Sequence, residues 1–303
     1  MSNPIGWCEK TWNPVTGCTP ISPGCANCYA KRMATRLAGR YGYPDDDPFR
    51  VTLHPKRLEE PLHWCKPQHI FVCSMADLFH DEVPFEFVDF IFAATVLAPQ
   101  HTYLILTKRP RRMAEYIERG PGGVEGRAKR ALRGDDPMTP VLTGKTLAWP
   151  LPHVWLGVTA EDQQRADERI PILLSIPAAK RFVSTEPMLG PVDLLERGYL
   201  ADHEWKKGTP GGLDWVIAGG ETGRGARPMH PEWVRALRDQ CIEAGVKLWF
   251  KSWGGWLPHY ERAYPETGKL GLCEIGDGKM IRAGSNPYEP RLLDGRTWEE
   301  RPA

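Results

Sequence analysis

The chain has 303 residues, of which 41% are hydrophobic and 25% charged, and its formal net charge is +1. This length is enough for one large α/β domain or two ordinary ones, and the composition is typical of a soluble globular protein. The small net charge excludes a protein that binds nucleic acid through its overall charge. No apolar run is long enough to cross a membrane, and the first residues lack the basic and apolar regions of a signal peptide. We therefore expect a cytoplasmic protein with no membrane partner.

A group of cysteines follows the first predicted strand with the spacing C-x6-C-x2-C, and its members are Cys18, Cys25 and Cys28. Gly17 and Gly24 stand directly before the first two cysteines, and glycine allows the tight backbone that lets thiolates converge. The pattern predicts a helix that begins at Tyr29. Its N-terminal amides would favour a negatively charged thiolate site.

Three kinds of metal site are compatible with these cysteines. A four-iron cluster with one open iron needs only three cysteines and a pocket. A zinc site or a closed four-cysteine cluster needs a fourth protein ligand, for which Cys8, Cys73 or a histidine would have to serve. No second C-x2-C or H-x3-5-H pattern follows downstream, so the spacing favours the cluster with an open iron. A disulfide framework is not expected in a cytosolic chain.

Six further short runs are apolar almost throughout and rich in β-branched residues. This pattern indicates strands buried on both faces, as in a parallel sheet covered by helices. The predicted strands are 69–73, 102–107, 153–159, 181–184, 214–218 and 246–250. The predicted helices between them are Phe85–Leu97, Arg111–Arg119, Gln163–Ser175 and Pro231–Ala244, the last ended by Gly245.

This alternation predicts an α/β fold, a partial or complete parallel (β/α) barrel of about six to seven βα units. A doubly wound open sheet would need a glycine-rich phosphate turn after its first strand, and the sequence has none there. We expect the barrel to span 1–254, with an insertion or mobile loop near 120–151 that is rich in Gly, Pro and charge. Residues 255–303 carry turn signals throughout and predict an irregular extension packed on the barrel, with a short strand at Lys279–Arg282.

Polar or flexible residues follow strand after strand at the carboxyl ends, where barrel enzymes place their reactive groups. Each carboxylate alone could be a helix cap, but together they predict one polar rim. The ionisable members are Asp77, Lys108, Arg109, Glu161, Glu186, Glu221 and Lys251, of which Lys108, Arg109 and Lys251 are the candidate catalytic groups. The turn Gly219-Gly220-Glu221 would let backbone approach a ligand closely.

A basic segment runs from Lys108 to Arg133. A solvated helix face with a loop is its simpler interpretation, and an edge that contacts phosphates is the alternative.

Several motifs together resemble the phage-associated three-cysteine family of unknown function. They are Trp12–Cys18, Cys25–Ala30, Ser74–His80, Leu106–Pro110, Val154–Val158, Glu186–Pro191, Gly219–Glu221, Ala226–His230, Phe250–Gly254 and Leu292–Trp298. More distantly, the chain resembles the radical S-adenosylmethionine enzymes, including the spore photoproduct lyases. Their usual spacing is C-x3-C-x2-C, so the first gap differs here.

The resemblance implies a [4Fe-4S] cluster on Cys18, Cys25 and Cys28, with S-adenosylmethionine bound to the open iron. One electron would cleave it and give a 5′-deoxyadenosyl radical that acts on a substrate. By strand order, the turn from Ser74 to Asp77 would meet the amino group of S-adenosylmethionine. Its ribose would meet Glu161 or Glu186, and its adenine the turn Gly219-Gly220-Glu221.

The same resemblance implies an external one-electron donor such as a flavodoxin or ferredoxin. A nucleic-acid or nucleotide substrate is compatible with the basic segment. The alternative from a different class is a non-catalytic protein stapled by zinc or an iron–sulfur cluster, which would bind nucleic acid or a protein partner in a phage system.

Overall fold

A computed structural model describes residues 5–131, 147–200, 211–258, 272–275, 278–282 and 291–302. In these ranges the β-strands are β1 (Lys10–Trp12), β2 (Val15–Thr16), β3 (Thr52–Leu53), β4 (His69–Val72), β5 (Thr102–Thr107), β6 (Val154–Thr159), β7 (Lys180–Thr185), β8 (Trp215–Gly219), β9 (Lys247–Ser252), β10 (Trp256–Pro258), β11 (Leu272–Ile275), β12 (Gly278–Arg282), β13 (Leu292–Leu293) and β14 (Arg296–Thr297). The α-helices are α1 (Tyr29–Arg36), α2 (Phe85–Leu97), α3 (Pro110–Glu118), α4 (Gly122–Ala131), α5 (Gln163–Ser175) and α6 (Pro231–Ala244).

The main sheet has seven strands in the order β1-β4-β5-β6-β7-β8-β9, and every neighbouring pair is parallel. Sequential strands lie side by side, as successive right-handed βα units require. The sheet curls into an open half-barrel, which confirms the predicted partial parallel barrel. The predicted helices over 85–97, 163–175 and 231–244 are confirmed at both ends. Gly245 ends α6 in the left-handed conformation, with a φ of 68°.

The two faces of the sheet are buried in different ways. The outer face packs against the helices in one large apolar core. The inner face packs aromatic residues against one another, and Trp215 lies at the centre, with ring centroids of four neighbours at 5.9 to 6.4 Å. Those neighbours are Trp7, Trp155, Phe182 and Trp249. This aromatic packing explains why so many tryptophans fall near strand starts.

Four charged residues at the carboxyl ends continue the inner-face positions of their strands. Side chains alternate along a strand, so positions an even number of residues apart share a face. By this count Lys108 follows Leu106, Glu161 follows Trp155, Glu186 follows Phe182 and Lys251 follows Trp249. The half-barrel is therefore aromatic inside and charged at its rim, the carboxyl ends of its strands.

The predicted insertion near 120–151 contains a helix in the first part of its described residues. Helix α4 occupies Gly122–Ala131, and its first turn approaches helix α2, because a Cβ on Gly123 would lie 2.5 Å from a carboxylate oxygen of Asp89. Residues 132–146 lie outside the described ranges. The insertion or mobile loop near 120–151 stays a prediction, and helix α4 lies inside its first part.

The C-terminal extension forms a small antiparallel sheet in the order β10-β12-β11, and β12 contains the predicted strand Lys279–Arg282. Its last residues pair with the free edge of β9: the Phe250 N–H donates to the Trp298 carbonyl at 2.8 Å, and the Glu300 N–H donates to the Leu248 carbonyl at 3.1 Å. Trp215 Nε1 also donates to the Glu300 carbonyl at 2.8 Å. The division into a barrel and an extension remains a prediction.

None of the helices in the described ranges is long and apolar enough to span a bilayer.

Candidate functional site

The cysteine loop, residues 13–28, crosses the rim above the first strands. Its start is fixed by backbone pairing, since the Gly17 N–H donates to the Met75 carbonyl at 3.0 Å and the Cys18 N–H to the Phe49 carbonyl at 3.1 Å. The Asn13 carboxamide oxygen accepts hydrogen bonds from Ser74 Oγ at 3.2 Å and from the Met75 N–H at 3.0 Å. The predicted site residue Ser74 thus binds the base of the loop.

Gly17 sits where the loop touches the chain around residue 50. Its φ is +85°, and a Cβ at this position would lie 2.1 Å from the Arg50 carbonyl oxygen. Both features demand glycine directly before the first cysteine.

Asp77 and Arg109 hold the first cysteine. The Asp77 carboxylate is buried and accepts four hydrogen bonds: from Thr107 Oγ1 at 2.7 Å, the Phe79 N–H at 3.0 Å, the Lys108 N–H at 3.0 Å and the Arg109 guanidinium at 3.1 Å. The same guanidinium donates to Cys18 Sγ at 3.5 Å. Asp77 therefore holds the positively charged Arg109 guanidinium beside the Cys18 sulfur.

Glu161 and Lys108 hold the second cysteine. The Glu161 carboxylate is fully buried and pairs with Lys108 Nζ at 2.7 Å and with the Arg169 guanidinium at 2.9 Å. Ser22 Oγ also donates to Glu161. From this position Lys108 Nζ lies 3.6 Å from Cys25 Sγ. The loop must come close here, because a Cβ on Gly24 would lie 2.5 Å from the Glu161 carboxylate.

The two cysteines have different acidities because their surroundings differ. Burial raises the pKa of the Cys18 thiol to about 11; the Asp77 carboxylate adds to this effect and the Arg109 guanidinium opposes it. Burial also acts to raise the pKa of Cys25, but the Lys108 ammonium and hydrogen bonds to the sulfur outweigh it, so that pKa lies below its usual value.

Glu221 holds the end of the loop. Its carboxylate accepts from Asn27 Nδ2 at 2.9 Å and from the Arg227 side chain at 2.6 and 2.9 Å. Arg227 also donates to the Pro23 carbonyl at 3.0 Å. Cys28 then stands at the N-cap of α1, and the structure gives its sulfur no hydrogen bond within the described ranges.

Glu186 and Lys251 form an ion pair with each other, and within the described residues neither forms a hydrogen bond with the cysteine loop. The pair borders the glycine turn, since a Cβ on Gly219 would lie 3.4 Å from Lys251 Cβ and 3.5 Å from Glu186 Cγ. Gly220 is held against β9, with its N–H donating to the Ser252 carbonyl at 2.9 Å. About four-fifths of each charged side chain is covered, yet each keeps an exposed part, with side-chain exposures of 18% and 20%.

A family model described as a protein of unknown function, DUF5131, matches residues 2–302. The chain belongs to this family. No curated protein matches it. A solved structure, spore photoproduct lyase complexed with dinucleoside spore photoproduct, is similar with 9% identity and a TM-score of 0.41, covering 91% of this chain and 69% of that one.

The positions of the cysteines distinguish between the kinds of metal site that this family member could hold. Among the described residues, no three His, Cys, Asp or Glu side chains are close enough together to hold a single metal ion. A tetrahedral zinc site would bring its sulfurs within about 4 Å of one another. Cys8 and Cys73, the cysteines considered as a fourth ligand, are both buried in apolar clusters. The three loop thiols are partly exposed and two of them face cations, so the donor set fits an anionic three-thiolate cluster better than zinc.

Sequence reasoning missed the residues that tie the cysteine loop to the rim. They are Asn13, Thr19, Ser22, Asn27, Arg169 and Arg227. Ser22 and Asn27 lie between or beside the cysteines, and that position could have suggested a supporting role. The predicted rim cations Lys108 and Arg109 contact the cysteine loop, whereas Lys251 forms an ion pair with Glu186.

The basic segment serves two purposes in its described part. Lys108 and Arg109 face the cysteine loop, while Arg112 donates to the His80 and Val83 carbonyls at 3.2 and 2.7 Å. The side chains of Arg127, Lys129, Arg130 and Arg133 lie outside the described part of the chain. The simpler interpretation, a solvated helix face, fits the exposed Arg111 and Arg119.

His54 supports the base of the loop and gives the fold an acid sensitivity. Its Nε2 lies 2.7 Å from Thr16 Oγ1, and burial, with a smaller effect of Arg57, lowers its pKa to about 4. Between pH 6.5 and pH 4 the unfolded chain binds a proton that the folded chain does not, so stability is lost as the pH falls. We expect His54 to lower the free energy of unfolding by up to about 3 kcal/mol as the pH falls from 6.5 to 4.

Urea unfolding at pH 7 and pH 4.5 checks this expectation. The variant His54→Gln keeps a hydrogen-bonding side chain but cannot titrate, so its stability should change less with pH than that of the wild type. Equal pH dependence in the two proteins would contradict the assignment.

Proposed function

We propose that this protein is a radical S-adenosylmethionine-type enzyme whose [4Fe-4S] cluster is held by Cys18, Cys25 and Cys28. The observation that carries the proposal is the anchoring of one three-cysteine loop to the carboxyl-end rim of a parallel half-barrel by three buried carboxylates, Asp77, Glu161 and Glu221. A closed four-ligand staple would need no such support from the edge of a cavity.

Charge supports a cluster at this place. Three thiolates would bring three negative charges to the rim, and Lys108 and Arg109 place two positive charges at 3.6 and 3.5 Å from two of the sulfurs. The helix that begins at Tyr29 adds its N-terminal dipole beside Cys28. These cations and the helix dipole would favour the anionic ligands, and at Cys18 the Arg109 guanidinium would oppose the effect of burial and of Asp77.

The remaining rim groups suit an adjacent organic cofactor. When bound, a cluster of this kind reduces S-adenosylmethionine by one electron and releases a 5′-deoxyadenosyl radical. Glu186 and Lys251 would offer one acceptor and one donor to its polar groups, and the Gly219-Gly220 backbone would pack closely against it. Asp77, Glu161 and Glu221 would orient the loop, since cations and loop groups already occupy their oxygens. A one-electron donor such as a flavodoxin or ferredoxin would complete the system.

Anaerobic purification tests the proposal. The wild-type protein should be brown, hold about four irons reducible by dithionite, and cleave S-adenosylmethionine. Cys25→Ala should lose the iron and the cleavage, whereas Cys65→Ala, which removes an exposed cysteine outside the loop, should keep both. One tightly held zinc with no iron would overturn the proposal.

One observation favours a second candidate, a non-catalytic protein whose metal only stabilises the fold. The oxygens of Asp77, Glu161 and Glu221 are already occupied by rim cations and by groups of the rim and loop, which suits a structural role. An iron-containing protein that binds no S-adenosylmethionine in equilibrium dialysis would support this candidate.

A further inference from the structure

We propose that a surface beside the cysteine loop binds single-stranded nucleic acid. This tyrosine–basic face is formed by one side of helix α1 and the turn that follows it, and its residues are Tyr29, Arg36, Arg40 and Tyr41. The identification of the bound strand as the enzyme's substrate rests on the proposed function. The binding itself needs neither cluster nor S-adenosylmethionine.

Tyr41 is held out in solvent at a cost to the backbone. It has a φ of 53°, and 75% of its surface is exposed. Positive φ is uncommon for a non-glycine residue and unfavourable for a bulky one. A large aromatic ring in this conformation gains little from the fold, which points to a ligand as the reason for its placement.

The turn that carries Tyr41 is rigid. The Gly39 N–H donates to the Tyr43 carbonyl at 3.1 Å, the Tyr43 N–H donates to the Arg40 carbonyl at 2.9 Å, and the Arg57 guanidinium donates to the Tyr41 carbonyl at 2.5 Å. Tyr43 is buried and packs with Ala30 and Ala34 of α1. The ring of Tyr41 is therefore presented from a preformed support next to the helix.

Arg36 and Arg40 supply the positive charge of this face. Both are exposed, and neither forms an ion pair with another described residue. The neighbouring acidic run Asp45–Asp47 borders the face, and its Asp46 is paired with Arg50 at 3.1 Å. Phosphates would be attracted to the helix side of the ring.

The face continues to the cysteine loop without a break in the chain. Tyr29 directly follows Cys28 and is 48% exposed, and Ile21 between the first two cysteines is 45% exposed. Arg32 of the same helix donates to the Thr222 carbonyl at 2.9 Å, which fixes α1 against the rim. A single strand of nucleic acid lying along α1 would end at the candidate site.

Exposed tyrosines between unpaired cations suit a single strand better than a duplex. Base faces are free to stack on aromatic rings only where the strand is unpaired, and the phosphates between them need nearby cations. A protein partner would instead call for a wider apolar patch, and the described exposed apolar residues here are single side chains.

Fluorescence anisotropy with labelled oligothymidylate of about 12 nucleotides, measured on the full chain at low and moderate salt, tests the proposal. Tyr41→Gly removes the ring and relieves the positive φ, so binding should weaken about tenfold while the melting temperature is kept. Tyr41→Phe should bind like the wild type. The double variant Arg36→Glu, Arg40→Glu should lower the magnitude of the slope of log K against log salt concentration by about one to two.

Two control variants change exposed residues on elements other than the tyrosine–basic face. Ile242→Ala removes an exposed apolar side chain from α6, and Lys247→Glu reverses an exposed charge at the opposite end of the sheet. Both should bind the oligonucleotide like the wild type. No binding by the wild type, equal binding by Tyr41→Gly, or equally tight binding of duplex would overturn the proposal.

The same proteins separate this inference from the proposed function. Iron content and S-adenosylmethionine cleavage should be unchanged in Tyr41→Gly. Oligonucleotide binding by a protein without iron would leave this inference standing and defeat the enzyme. Iron binding and S-adenosylmethionine cleavage without oligonucleotide binding would support the enzyme and overturn this inference.

Discussion

Replacement of Glu161 by glutamine is expected to destabilise the fold by about 3–5 kcal/mol, because it leaves two buried cations without their shared counter-ion. Glu161 is fully buried between Lys108 at 2.7 Å and Arg169 at 2.9 Å. Burial acts to raise the pKa of Glu161, but Lys108 and Arg169 outweigh it and hold the pKa below its usual value. The native carboxylate is therefore ionised, and its neutral analogue cannot balance the two charges.

Chemical denaturation of Glu161→Gln and of the wild type, both without iron, measures this loss. Glu168→Gln is the matched control, since Glu168 is an exposed residue of α5 that accepts only from Gln164 at 2.9 Å. The control should lose less than about 0.5 kcal/mol. Similar losses in the two variants would show that the buried ion cluster contributes little.

Gly17→Ala is expected to release the cysteine loop from the rim. The new methyl group would lie 2.1 Å from the Arg50 carbonyl oxygen, and the backbone φ of +85° is unfavourable for alanine. The conformation alone costs about 1–2 kcal/mol. The clash adds to it, because the obstructing atom is backbone and cannot rotate away.

The control for Gly17 is Gly245→Ala, at a glycine with a φ of +68° and no atom within 4 Å of the added Cβ. It reproduces the conformational cost without the clash. We expect Gly17→Ala to lose more stability than Gly245→Ala in urea unfolding and, unlike it, to lose iron after anaerobic reconstitution. Equal effects of the two substitutions would mean that the close approach at Gly17 does not matter.

The sheet could be predicted from the sequence because its strands are buried on both faces. Continuous apolar runs such as Thr102–Thr107 stand out from the polar helix surfaces around them, and the proline and glycine that bound Pro231–Ala244 mark its ends. Helix α4 could not be predicted this way, since its sequence opens with two glycines and holds a third. Its packing against α2 outweighs that weak propensity.

The site could be predicted as a set of rim residues but not as a set of pairs. Strand ends reveal which carboxylates share an edge, whereas their partners depend on how a long loop crosses that edge. Asn27 and Glu221, for example, are 194 residues apart in the chain and 2.9 Å apart in the fold. Lys108 and Arg109 illustrate the same limit, since adjacent residues serve different carboxylates and different cysteines.

The pairing of the C-terminal residues with β9 covers one edge of the open sheet. A parallel sheet that does not close leaves two strand edges with free backbone groups, and such edges invite a second molecule to add its own strand. Here the hydrogen bonds of Phe250 and Glu300 with the opposite segment cover the β9 edge from within the same chain. The C-terminal residues thus occupy backbone groups of β9 with which a strand of a second molecule could otherwise pair.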